Sequence, residues 1–315
     1  MTKTIEEIHK INPNRVVFVD GLNYSNDIIT SLRNKRNVIQ ALHVYEPFTL
    51  THYQASWVEG SDTWPEPVWP MIDISSYLYG PAKPEYKSSL VFEGTFLKDS
   101  KIIVNIKQVS IQSTLEIKLD DQTIYTKAFI CGGEIDDDWT EIINTQWGYQ
   151  NISNKDYSVV IPANGSTLTI SNTAGDWMTL NAITIQSESP DLTIIPGNNA
   201  WGSKQETYSI NSDGKIMDAH GYPMILRNLY QKMESAKDQD IPIMIQEFGV
   251  HNRTPHTVSL SYLKDVVSVF REYDLGYAMW NLSGSLGIIN SGRDDCSYES
   301  YHGQLLDSEM LKIMQ

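Results

Sequence analysis

Val16-Val17-Phe18-Val19-Asp20-Gly21 is an apolar run closed by a carboxylate and a glycine, and its reading decides the fold. Four apolar residues in a row, without alternation, describe a strand buried on both faces, as in a parallel sheet covered by helices. Ahead of it, Ile5 and Ile8 stand at helical spacing within residues 4–15. Behind it, residues 28–34 read as a short helix, and residues 38–45 repeat the buried-strand pattern before ending in polar and aromatic side chains. Strand, helix, strand is the signature of a parallel sheet. The same rhythm returns late in the chain, with a helix over 228–239, a strand over 243–247, a long helix over 258–273, a strand over 276–281 and a last helix near 308–314.

Between these parts the text changes to short alternating segments, among them Ile102-Ile103-Val104-Asn105-Ile106, Leu115-Glu116-Ile117-Lys118-Leu119 and Ser166-Thr167-Leu168-Thr169-Ile170. Turn signals such as Asp120-Asp121 and Asn164-Gly165 separate them, the pattern of an antiparallel sandwich. The expected organisation is an α/β part over 1–71 and 188–315, interrupted by an all-β sandwich over 72–187. The α/β part offers four buried strands, whereas a closed (β/α) barrel has eight.

With 315 residues, 41% of them hydrophobic, the chain is long enough to bury a sizeable core. Its formal net charge of -15, without a basic cluster, repels nucleic acid and favours a neutral ligand. Cys131 and Cys296 lie far apart and without metal-like spacing, so neither a disulfide framework nor a structural zinc site is expected. No run approaches the roughly 20 apolar residues of a membrane-spanning helix. Residues 1–10 are charged and amphipathic and hold no apolar signal core. Localisation is not readable here; a longer gene with a signal peptide would make the protein secreted or periplasmic.

Polar and aromatic side chains gather at the C-terminal ends of the expected strands: Glu247, His43 and Tyr45, and Trp280. In a (β/α) barrel that rim holds the active site. Taken singly, a strand-end glutamate is more often a solvated loop residue; the shared address is what singles these out. Their types suit sugar chemistry, in which one carboxylate attacks the anomeric carbon and a second, about 5–5.5 Å away, protonates the leaving group. Tryptophan faces stack on sugar rings. Only one suitable carboxylate is present.

The ordered motifs His43-Val44-Tyr45-Glu46-Pro47-Phe48, Thr51-His52, Ala55-Ser56-Trp57, Glu247-Phe248-Gly249-Val250, Asn252-Arg253-Thr254-Pro255 and Trp280-Asn281 resemble glycoside hydrolase family 5, the cellulase family of retaining (β/α)-barrel enzymes. The resemblance covers roughly residues 4–70 and 190–315. It implies half of a TIM (β/α)8 barrel, strands five to eight, with Glu247 as the nucleophile after the seventh strand. His43 and Tyr45 match site residues after the sixth, and Trp280 the aromatic platform after the eighth. His52 and Trp57 resemble outer substrate contacts, with loop packing as the alternative. His251 stands where relatives commonly carry tyrosine. The family's Asn-Glu-Pro general acid has no counterpart: Tyr45-Glu46-Pro47 and Pro65-Glu66-Pro67 fall after the sixth strand, and the chain starts in what would be the fourth helix. The expectation is therefore a truncated or split β-1,4-glucan hydrolase, weak or inactive alone, or a non-catalytic binding or scaffold protein derived from one. The open half-barrel is expected to pair as a homodimer. No cofactor or metal is expected.

In the interrupting segment, Trp139 and Trp147 flank polar loops and are the candidate sugar contacts, whereas Trp177 reads as core. The acidic run 134–138 reads as a solvated loop, with calcium ligation as the alternative.

Overall fold

Parallel strands need covered faces, and helices cover one face of the sheet that carries the strand ends named above. The computed structural model describes residues 1–186 and 191–315 and divides into two units, one of residues 1–69 and 228–315, the other of residues 70–227. In the first unit, β1 (Val17–Asp20), β2 (Val38–Val44) and β3 (Ile243–Phe248) form a parallel sheet in the order β1-β2-β3. Its helices are α1 (Thr2–Ile11), α2 (Arg227–Asp238), α3 (His256–Glu272) and α4 (Ser308–Met314).

The helix α3 buries Ser259, Tyr262, Leu263, Val266, Val267 and Phe270, a stripe at spacings of three and four. Phe270 meets the ring of Phe248 on β3 at 5.1 Å, edge to face. At the other edge, Val19 and Val38 pack with Ile5 of α1 and Leu32. The first turn of α4 is closed by Asp307, whose Oδ1 accepts from the Met310 N–H at 2.9 Å.

Three expectations for this unit are corrected. β1 is not buried on both faces: Val19 faces the core, but Phe18 on the opposite face is 57% exposed. Residues 28–34 form only a 3₁₀ turn, Thr30–Leu32. The Gln40 side chain holds the Ile29 backbone, accepting from its N–H at 2.7 Å and donating to its carbonyl at 2.9 Å, while that carbonyl also accepts the Leu32 N–H at 3.1 Å, the bond of the 3₁₀ turn. Residues 276–281 run beside β3 through the bonds Ile245 N–H to Gly276 O, Ala278 N–H to Ile245 O and Trp280 N–H to Phe248 O. They make a single parallel bridge at Tyr277 rather than a strand.

The second unit holds two six-stranded sheets. One is built on Lys101–Ser110, Gly148–Val160 and Trp177–Gln186, the other on Leu90–Phe96, Gly165–Gly175 and Gln112–Leu119. Alternation sends Ile102, Val104 and Ile106 from the first, and Phe92, Leu115, Ile117, Leu168 and Ile170 from the second, into one core, which Leu180 and Ile183 join across a register shift between Leu180 and Ala182. The expected boundary at 187/188 lies outside the described residues. The unit extends to Arg227 because Leu192–Ile194 joins the first sheet, and Thr207–Ile210 and Ile216–Met217 join the second.

Candidate active site

Along β2, Leu42 and Val44 point to the helix-covered face, so His43 and the following Tyr45 point to the other. Plain alternation on β3 would leave Glu247 beside Ile245. Instead Ile245 stands opposite Leu42 and Glu247 opposite His43, so Gln246 is one residue extra. This bulge carries Glu247 onto the face of His43 and returns Phe248 to the core opposite Val44.

There the Tyr45 hydroxyl donates to Glu247 Oε2 at 3.1 Å. His43 Nε2, buried and without a hydrogen bond, lies 3.4 Å from Glu247 Oε1. Burial, and after it the charge of Glu247, push the Tyr45 phenol well above its ordinary value. It therefore stays protonated and serves as a fixed donor.

Thr51 supports this pair from behind. Its hydroxyl donates to the Tyr45 carbonyl at 2.6 Å and lies 3.0 Å from His52 Nδ1. With its one proton committed to the carbonyl, Thr51 accepts from Nδ1–H, which sets the His52 tautomer. The His52 ring stacks on Phe48 at 3.9 Å and meets Tyr45 edge-on at 5.0 Å. Burial, followed by the nearby His251, pushes His52 down to about 4. His251 is also lowered, by burial first, and its Nδ1 lies 2.9 Å from the Tyr53 carbonyl. Trp57 is exposed and lies edge-on to His251 at 5.0 Å.

Trp280 is brought in by its backbone, through its N–H bond to Phe248 O at 2.9 Å, with its ring half exposed. Gly249 permits the approach: a Cβ there would stand 2.4 Å from the Trp280 carbonyl oxygen. Thus His43, Tyr45 and Glu247 share direct contacts, His52 and Trp57 continue from them as a chain of rings, and Trp280 borders β3. Phe48, Thr51 and Gly249 are supporting residues that motif reading quoted without a role. Glu46 turns away: its Oε2 accepts from the Phe48 N–H at 3.1 Å, and it lines a separate polar cavity of about 550 Å³ with Asp27 and Lys232. Among the described residues, no second carboxylate makes contact with Glu247.

In the second unit, Trp139 is 4% exposed and packs on Phe129 at 5.9 Å. It is a core residue, which corrects its expected place as an open sugar platform. Trp147 is 71% exposed. The acidic run is engaged within the fold: Asp136 Oδ1 accepts the N–H groups of Asp138 and Trp139, and Asp138 pairs with Lys127 at 2.7 Å. Back in the first unit, His256, Cys296 and Asp307 place one ligand-type atom each within 4.8 Å of one another. His256 Nε2 already lies 2.8 Å from Asp307 Oδ2, and burial, then Asp307, push the Cys296 thiol up to about 12. The trio is a hydrogen-bonded group at the start of α4.

No family model matches the chain, and no curated protein matches it. Solved structures similar to it include glycoside hydrolases and cellulases. One, a glycoside hydrolase, is 20% identical, with 99% of this chain and 52% of that chain covered and a TM-score of 0.48. A mutant form of Thermotoga maritima Cel5A in complex with cellobiose is 11% identical, with 99% and 51% covered and a TM-score of 0.41. A hyperthermophilic endo-β-1,4-glucanase in complex with substrate is 14% identical, with 99% and 52% covered and a TM-score of 0.41. The chain spans about half the length of these structures.

Proposed function

We propose that the first unit is the nucleophile-bearing half of a (β/α) barrel and acts in retaining hydrolysis of β-1,4-glucan, with Glu247 attacking the anomeric carbon. The observation that carries this reading is the bulge that turns Glu247 onto the face of His43 and Tyr45, where a protonated phenol at 3.1 Å holds the carboxylate. A carboxylate aimed by a hydroxyl donor, on a rim lined by Trp57 and Trp280, has the nucleophile and the stacking surfaces such a reaction uses. The general acid has to come from elsewhere, so this chain alone should cleave natural glucan weakly or not at all.

The test bypasses the acid. A 2,4-dinitrophenyl 2-deoxy-2-fluoro-β-cellobioside needs no protonation of its leaving group, because dinitrophenolate departs unaided. Incubation should release dinitrophenol and leave a glycosyl ester that peptide mass spectrometry finds on Glu247. Glu247→Gln should give no adduct, and an adduct on another residue, or none on the parent, would remove the assignment.

The single carboxylate favours a second reading, a glucan-binding protein without hydrolytic activity; binding without any adduct would support it. Under the half-barrel reading, the sheet face that bears exposed Phe18 is covered by a second copy. Light scattering coupled to size exclusion should then give a dimer mass, and a monomer mass would refute the pairing.

A further inference from the structure

In the second unit, the turn after residue 198 presents Trp201 at its tip. Ala200 N–H donates to Asn198 Oδ1 at 3.1 Å, Ser203 N–H to the Ala200 carbonyl at 3.2 Å, and Gly202 N–H to the Tyr79 phenol oxygen at 2.7 Å. Gly202 sits at a φ of 83°, which a glycine adopts without strain. Trp201 then stands edge-on to four rings: Tyr79 at 5.3 Å, Tyr77 at 5.6 Å, Tyr86 at 6.0 Å and Trp177 at 6.2 Å. Tyr79 and Trp177 are buried, so the base is rigid, yet Trp201 itself remains 52% exposed. Over the ring, the Lys83 ammonium lies 5.8 Å from the centroid and 3.8 Å from Asp176 Oδ1. Asp176 Oδ2 accepts from the Ser110 hydroxyl at 2.6 Å, which fixes the carboxylate.

We propose that Trp201, with Tyr86 and Lys83, is a binding subsite for an uncharged β-linked oligosaccharide. A half-exposed aromatic ring on a rigid base, next to an ammonium donor, matches a sugar, whose C–H faces are apolar and whose edge carries hydroxyl oxygens. The lysine and aspartate cancel locally, and the chain carries a net charge of -15, so a polyanionic ligand is disfavoured. The ligand class rests on the β-glucan reading above, but the subsite is separable from Glu247 by experiment.

The full chain is run in affinity electrophoresis through gels with and without barley β-glucan, alongside Trp201→Ala and Trp147→Ala, and its tryptophan emission is titrated with cellohexaose. Loss of the stacked ring in Trp201→Ala should weaken retention by about 2- to 12-fold; retention lost in Trp147→Ala and kept in Trp201→Ala overturns the subsite. If Trp201→Ala fails to fold, Trp201→Phe decides: the emission change that cellohexaose produces in the parent should disappear in Trp201→Phe. Unchanged retention and emission response in the Trp201 variants overturns the subsite, as does a parent chain that shows no retention at all. A parent that forms the Glu247 adduct but is not retained refutes the subsite alone. Retention that depends on Trp201 in a chain forming no adduct refutes the hydrolase reading alone.

Discussion

Acidification should destabilise the site through His52. Its ring is 8% exposed, stacked on Phe48, and its Nδ1–H is committed to Thr51, so any added proton goes to the second ring nitrogen inside a ring cluster that already holds His251. The folded pKa is pushed down to about 4, against about 6.5 for an exposed histidine. The stability involved is fully present above pH 6.5, where both folded and unfolded chains carry a neutral ring. As pH falls from there to about 4, the unfolded chain takes up a proton that the folded site refuses. Linkage then removes up to about 1.4 kcal/mol per pH unit. The ceiling over this window is about 3 kcal/mol, and solvent screening at the rim reduces the expectation to about 2 kcal/mol. Urea unfolding followed by fluorescence, on the parent and on His52→Gln at about pH 7.5, 6.0 and 4.5, settings that cover most of the window of about 4 to 6.5, isolates this contribution as the difference between the two chains. The parent should lose about 2 kcal/mol more than the variant. Parallel pH curves would show that burial of His52 does not exclude the proton and would refute the reasoning.

Tyr45→Phe removes the donor at Glu247, and glycosyl-enzyme formation from the dinitrophenyl substrate should slow by about tenfold or more, measured by the dinitrophenol burst. Gly249→Ala drives a Cβ into the Trp280 carbonyl and should cost about 1–3 kcal/mol, seen as a lowered melting temperature. Trp139→Ala should destabilise by about 3–5 kcal/mol in calorimetry while leaving β-glucan retention as in the parent, because its ring fills a core.

Much of the fold was legible from local pattern. The runs that became β1, β2 and β3 were visible as apolar strings, and α3 as a stripe of apolar residues at helical spacing. What escaped depends on partners distant in sequence. Residues 28–34 carry a helical pattern, but the Gln40 amide takes the Ile29 backbone, and nothing within the segment announces that competitor. Trp139 sits among polar residues, yet it folds inward because the strands around it carry Phe129 and Tyr157 to the same place. The end of the second unit was set too early because its last strands are two to four residues long, too short for alternation to show.

The candidate nucleophile was legible as a strand-end carboxylate, but the turn that aims it was not, although a signal for it exists. Ile245 and Phe248 are both fully buried and stand opposite Leu42 and Val44, which share one face of β2. Two residues three apart cannot face the same way in a regular strand, where side chains alternate with period two. One extra residue must therefore be accommodated between them, and Gln246, exposed and polar, is the residue extruded. Two adjacent polar residues between apolar ones, Ile245-Gln246-Glu247-Phe248, are thus the written form of the bulge. Deleting Gln246 would leave Ile245, Glu247 and Phe248 opposite Leu42, His43 and Val44 in regular alternation, so the carboxylate should keep its place beside Tyr45 and His43 without the bulge, and loss of the Glu247 adduct in that deletion would refute this account of the strand.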